Sequence, residues 1–100
     1  MTAPERFSLD AYVLDALMPD LVGHDRHASA FVVYLFLWRR TKGGTRATVV
    51  SHRMIADGTG LAKRSAQTAL QRLVTRGLVK VRRASPTAAS TVTLEIHWRR

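Results

Sequence analysis

From Ser51 to Leu78 the chain reads S-H-R-M-I-A-D-G-T-G-L-A-K-R-S-A-Q-T-A-L-Q-R-L-V-T-R-G-L, and no other segment restricts the fold as much. Its pattern predicts a short helix, a glycine-bearing turn and a second helix. At about 100° per residue along that second helix, Ala66, Ala69, Leu70 and Leu73 fall on one face with Val74 beside it, so this face packs inward. Arg64, Thr68, Gln71 and Thr75 point the opposite way. Lys63 and Gln67 lie along one flank, and Ser65 and Arg72 along the other. There is no acidic residue from position 62 to position 76. A merely solvated amphipathic helix commonly pairs Glu with Lys at i,i+4, so the outward side is built for something other than solubility.

The flanking segments supply the rest of a small α+β domain. Ser51 is a good N-cap for the first motif helix, expected over residues 52–57. Gly58-Thr59-Gly60 should end it, and Leu61 should plug the core. The second motif helix spans about residues 62–76, with Gly77 suited to the C′ position. Two alternating runs follow. Residues 78–83 put Val79 and Val81 on one side and Lys80 and Arg82 on the other. Residues 91–98 alternate in the same way through Val92, Leu94, Ile96 and Trp98. The small polar stretch between them makes this a β-hairpin with a long loop.

Upstream, residues 45–50 are rich in Thr and Val and read as a short strand. Residues 26–42 are apolar nearly all round in A-F-V-V-Y-L-F-L-W. Length, together with Arg39, Arg40 and Lys42 ahead of Gly43-Gly44, favours a buried helix over a strand, with Asp25 as its cap and Tyr34 and Trp38 as core. A first helix is expected over residues 9–18, capped by Ser8, stapled by Phe7 and Tyr12 and stopped by Pro19. Residues 19–25 then form a connector. Residues 1–25 are thus an arm and helix, and 26–100 the main domain. The sticky face of the first helix, carrying Tyr12, Val13 and Leu17, is a candidate dimerisation surface; the alternative is that it packs on its own domain.

Charge narrows the partner. The net charge of +9 is unevenly placed: residues 1–38 hold two basic and five acidic residues, whereas 39–100 hold fourteen basic and two acidic. A region so one-sided repels itself unless it meets a polyanion. There is no cysteine, which excludes disulfides and cysteine-bound zinc and is compatible with a reducing cytosol. The nine apolar residues from 30 to 38 fall far short of the roughly 20 a membrane helix needs, and the N-terminus lacks the apolar core of a signal peptide. His24-x-x-His27 with Asp25 lacks a further ligand cluster nearby, so no metal is expected. His52 and His97 read as surface residues. No Ser-His-Asp or paired-carboxylate grouping appears and no phosphate loop, so neither catalysis nor a cofactor is expected.

The outward side of the second motif helix matches duplex chemistry. Arg and Lys donate to guanine O6 and N7, and Gln bonds adenine bidentately. Thr and Ser reach phosphate or a thymine methyl. Residues 55–79 resemble the helix-turn-helix and following strand of bacterial winged-helix regulators. The residues that carry this are Ile55, Ala56, Asp57, Thr59, Gly60, Leu61, Lys63, Arg64, Ser65, Gln67, Ala69, Leu70, Leu73, Gly77, Leu78 and Val79. The pattern is similar to the DNA-binding halves of the GntR and MarR families and to domains of plasmid and phage replication proteins, and it extends over about residues 27–98.

That resemblance implies a winged helix-turn-helix with an extra N-terminal helix. Its base-contacting positions fall on Lys63, Arg64, Gln67, Thr68 and Gln71. Arg46, Ser51, Arg53, Ser65, Arg72, Lys80, Arg82 and Arg83 are candidate DNA-backbone contacts, with Arg39, Arg40 and the tip residues Ser85 and Thr87 behind them. One departure is Ala62, where the pattern prefers Ser or Thr, at a cost of about 1 kcal/mol. The expected role is a small homodimeric transcriptional regulator on double-stranded DNA in the cytoplasm, with no effector pocket and no membrane partner. Alternatives are a replication or partition protein and an adaptor for an acidic protein partner.

Overall fold

The computed structural model describes residues 5–85 and 89–99. Thr87, a candidate wing contact, lies outside them. The element that organises the rest is the apolar helix α1, Ala28–Arg40, which buries Ala30, Phe31, Val33, Tyr34, Leu37 and Trp38. A helix apolar on most sides must be covered from several directions. Here the N-terminal segment, the motif helices α2 (His52–Thr59) and α3 (Lys63–Thr75) and the sheet together bury it in one core.

α1 starts later than expected. Asp25 does not cap it. Instead His27 does, its Nδ1 accepting the Ala30 N–H at 3.2 Å. Arg26 sits at φ +53°, a left-handed turn that a helix cannot pass through. At the other end the buried Thr41 hydroxyl accepts the Gly44 N–H at 3.1 Å, closing the helix end onto the glycine turn.

The N-terminal segment differs most from expectation. It does not stop at Pro19. Two stretches of π-helix, Val13–Leu17 and Pro19–His24, follow one another, with i→i−5 bonds such as Asp25 N–H to Asp20 O at 2.9 Å. Pro19 takes the first position of the second stretch, where its missing N–H costs least. The residues expected to be a connector are therefore helical, and Leu21 is buried. Ser8 is no side-chain cap; its carbonyl accepts the Trp38 indole N–H at 2.7 Å. The Phe7–Tyr12 staple is also absent. Phe7 lies under the Arg39 guanidinium, 5.6 Å from its centroid, and Tyr12 stacks on Trp98 with centroids 4.6 Å apart.

The strands β1 (Thr48–Val50), β2 (Val79–Arg82) and β3 (Ser90–Leu94) form an antiparallel sheet in the order β1-β3-β2. The hairpin register sets Val79 opposite Leu94 and Val81 opposite Val92. β3 also pairs with β1, Thr48 opposite Val92, so the strand expected to be one arm of the wing is the central strand. Val50, Val79, Val92 and Leu94 face the core. β3 ends at Leu94, short of the expected residue 98. Beyond it the chain turns so that Trp98 meets Tyr12 and donates its indole N–H to Asp10 at 3.0 Å.

Candidate nucleic-acid interface

The interface begins with the turn between α2 and α3. Ser51 caps α2 by accepting the Met54 N–H at 3.1 Å. α2 continues through Gly58, two residues past the expected end. A Cβ on Gly58 would lie 2.1 Å from the Phe36 ring, so glycine there serves close packing of α2 on α1 rather than a break. The break is at Gly60, φ +81°, whose N–H bonds Ala56 O. The Thr59 hydroxyl accepts the Leu61 N–H at 3.2 Å and closes the turn.

α3 is free of glycine and proline and is built of good helix formers. It buries Ala66, Ala69, Leu70 and Leu73, the inward face expected from the spacing. Ala62 precedes it in extended conformation with no side-chain cap, which leaves the first backbone N–H groups of the helix open to an anion. Its end is firmly made. Gly77, φ +71°, donates to Val74 O at 3.0 Å, and Leu78 donates to Leu73 O at 2.9 Å, the paired bonds of a Schellman stop.

Lys63, Arg64, Gln67, Thr68 and Gln71, the five residues matched to base contacts, are all exposed and line one open groove of about 1060 Å³. Arg72, Thr75 and His27 complete it. His27 comes from the start of α1, two residues beyond the Asp25 cap that the sequence suggests. Ser65 lies beside the groove in a smaller depression with His27 and Ser29.

Among the described residues neither Lys63 nor Arg64 has an acidic partner, and Arg72 feels Asp25 only at longer range. The ion-paired arginine is Arg76, at the C-terminal end of α3. Its guanidinium donates to Asp25 at 2.6 Å and to Asp20 as well. Arg76 holds the Asp25 carboxyl below its usual range, and the two carboxylates in turn raise the Arg76 pKa.

The backbone candidates divide. Arg72 lies in the groove, and Arg83 lines a second cavity that shares Gln67 and Gln71 with it. Lys80 pairs with Glu95 at 3.5 Å, and Arg53 loosely with Asp57 at 3.9 Å. Arg46 and Arg82 are exposed and line neither the groove nor that cavity. Arg39 pairs with Glu5 at 3.0 Å, and Arg40 donates to Thr48 Oγ1 at 3.2 Å.

Two of the three dimerisation candidates face inward. Val13 and Leu17 are buried in the chain's own core, because the π-helical segment packs against α1, and Tyr12 is stacked on Trp98. The exposed apolar residues of that segment are Tyr12, Leu14, Met18 and Val22. The His24/His27 pair does not converge either, since the His27 Nδ1 caps α1. Asp20, His24 and Asp25 come together instead, and the Arg76 guanidinium fills the space between the two carboxylates.

Three helices, a tight left-handed turn between the second and third, and an antiparallel sheet ending in a β-hairpin define a winged helix-turn-helix protein. Residues 28–79, just over half the chain, match the family described as Helix-turn-helix domain, and the chain belongs to that family. The match is coarser than a GntR or MarR assignment. No curated protein matches the sequence. The family supports DNA as the ligand of the groove. Among the described residues no helix is long and apolar enough to cross a membrane.

Proposed function

We propose that this protein binds double-stranded DNA sequence-selectively and regulates transcription by occupying its site. α3 lies in the major groove, and the β2–β3 wing follows the backbone. The observation that carries this reading is the convergence of Lys63, Arg64, Gln67, Thr68 and Gln71 on one exposed groove from which acidic side chains are absent among the described residues. These are the donor types that read guanine and adenine edges. The role is binding without catalysis, in the cytoplasm at the nucleoid. Two copies would occupy a two-fold site by pairing through Leu14, Met18 and Val22, which the fold leaves exposed.

Selection from random duplexes at two salt concentrations tests the reading. It is expected to return one motif, symmetric if the protein pairs. With about six phosphates neutralised, log K should fall against log salt with a slope near −5. Substituting Arg64→Ala and Gln67→Ala together should abolish selectivity while leaving the circular dichroism unchanged. Equal, feeble binding to every duplex, or selectivity untouched by the double substitution, would overturn it in favour of an adaptor for an acidic protein. Recovery of repeated sites near a replication origin would replace transcription with replication or partition as the setting.

A further inference from the structure

Between α2, α3 and the wing lies a cavity of about 220 Å³. Its apolar lining is Leu70, Val74 and Val81, and its polar groups are His52, Gln67, Gln71, Arg83 and Ser90. Gln67 and Gln71 also line the large groove, so the two spaces adjoin each other along α3. A duplex seated on α3 would carry a backbone strand past this cavity. We propose that His52 contacts a DNA phosphate there and that duplex binding is coupled to proton uptake at His52. The inference rests on the DNA-binding reading above.

His52 is half-buried at the first position of α2. Among the described residues its imidazole has no hydrogen-bond partner. The charged groups that act on it are cations, Arg83 from the wing and Lys63 from α3. The only partner of the Arg83 side chain among the described residues is the Ser90 hydroxyl, at a long 3.4 Å, so its charge is available. Burial first, and then Arg83 and Lys63, hold the imidazole below its usual pKa and disfavour its protonated form in the free protein.

An anion in the cavity reverses both electrostatic effects. It attracts a proton to the ring directly and offsets the two cations that had repelled it. At pH values between the free and bound pKa of His52, the complex therefore holds more proton than the free protein. The sign follows: affinity rises as pH falls through the pKa of His52 in the complex, and levels off below its pKa in the free protein. Each unit of pKa rise on binding corresponds to a tenfold gain in affinity at the low-pH plateau.

The test measures binding of the full chain to a random-sequence 20-base-pair duplex at constant salt from pH 8 to 5, with the wild type, H52Q and, as a control at a histidine outside the groove and the cavity, H97Q. The wild type should gain about tenfold in affinity towards low pH. H52Q should lose most of that gain, and H97Q should keep it. The His52 ring proton, followed by NMR in the wild type alone, should titrate at higher pH with duplex than without, a readout that does not depend on any variant folding. An identical pH profile in H52Q, or a His52 titration unmoved by duplex, would overturn this inference and leave DNA binding standing. Failure of the wild type to bind duplex at any pH would bring down both.

Discussion

The two ends of α3 treat their cations in opposite ways. At the C-terminal end Arg76 is held by Asp20 and Asp25 of the N-terminal segment. Along the groove, Lys63 and Arg64 are held by no acid among the described residues. The same division runs through the molecule. Glu5 pairs with Arg39, Asp10 with Arg99, Asp57 with Arg53 and Glu95 with Lys80, all away from the groove. An ion pair of good geometry anchors one element to another but spends its charge locally. An unpaired cation adds self-repulsion to the fold and keeps its field for a polyanion. The chain therefore commits most of its few acids to ion pairs elsewhere and leaves one helix face free of acids.

This contrast predicts that anchoring and binding can be damaged separately. The largest effect is expected from Gln71→Glu, which places an acid in the groove. Loss of a base contact and repulsion of phosphate should together weaken duplex binding by roughly 100-fold, with the melting temperature nearly unchanged. A fall in both, seen by anisotropy and calorimetry, would show that the groove face also supports the fold. Next is Arg76→Ala, which leaves two carboxylates facing each other without their cation. The charge-assisted bonds are partly exposed, so the cost in stability should be about 1–2 kcal/mol, read by urea unfolding. Loss of DNA binding without loss of stability would break the comparison from the other side.

Acid should act on the same fasteners. Asp25 and Asp10 have folded-state pKa values lowered by Arg76 and by Arg99 with Trp98. Their contribution is therefore fully present above the unfolded carboxylate pKa of about 3.9 and is lost as pH falls through the lower folded values. Urea midpoints should be flat through this contribution from pH 7 to 5 and should drop below about pH 4, less steeply in Arg76→Ala. The smallest effect belongs to Lys80→Ala on the wing. Its exposed pair with Glu95 should be worth no more than about 0.5 kcal/mol. If Lys80 exchanges that partner for a phosphate, the salt slope of duplex binding should shrink by about 1.

Much of the interface was legible in the sequence. The inward and outward faces of α3 follow from 3.6-residue periodicity, and Gly77 ends the helix at the expected C′ position. The absence of acids from 62 to 76 already marked the outward face. What failed depended on neighbours remote in sequence. Pro19 read as a stop because a proline normally ends an α-helix, yet a wider π-turn accommodates it. Val13 and Leu17 read as an open sticky face because nothing local says that the chain's own core buries them. Gly58 read as a breaker, whereas its bare Cα makes room for Phe36. His27 and His52 carried no local signal, since each gains its place only when α1 or the wing folds against α3.

The chain alone determined the helix-turn-helix, the acid-free face and the wing hairpin, because periodicity, capping and turn chemistry act within a few residues. Tertiary structure decided which cations stay available. Arg76 meets its carboxylates 51 and 56 residues away, and Trp98 meets Asp10 across 88. Such pairings depend on where packing places the backbone, and the apolar contacts of α1, rather than the charges themselves, set that placement.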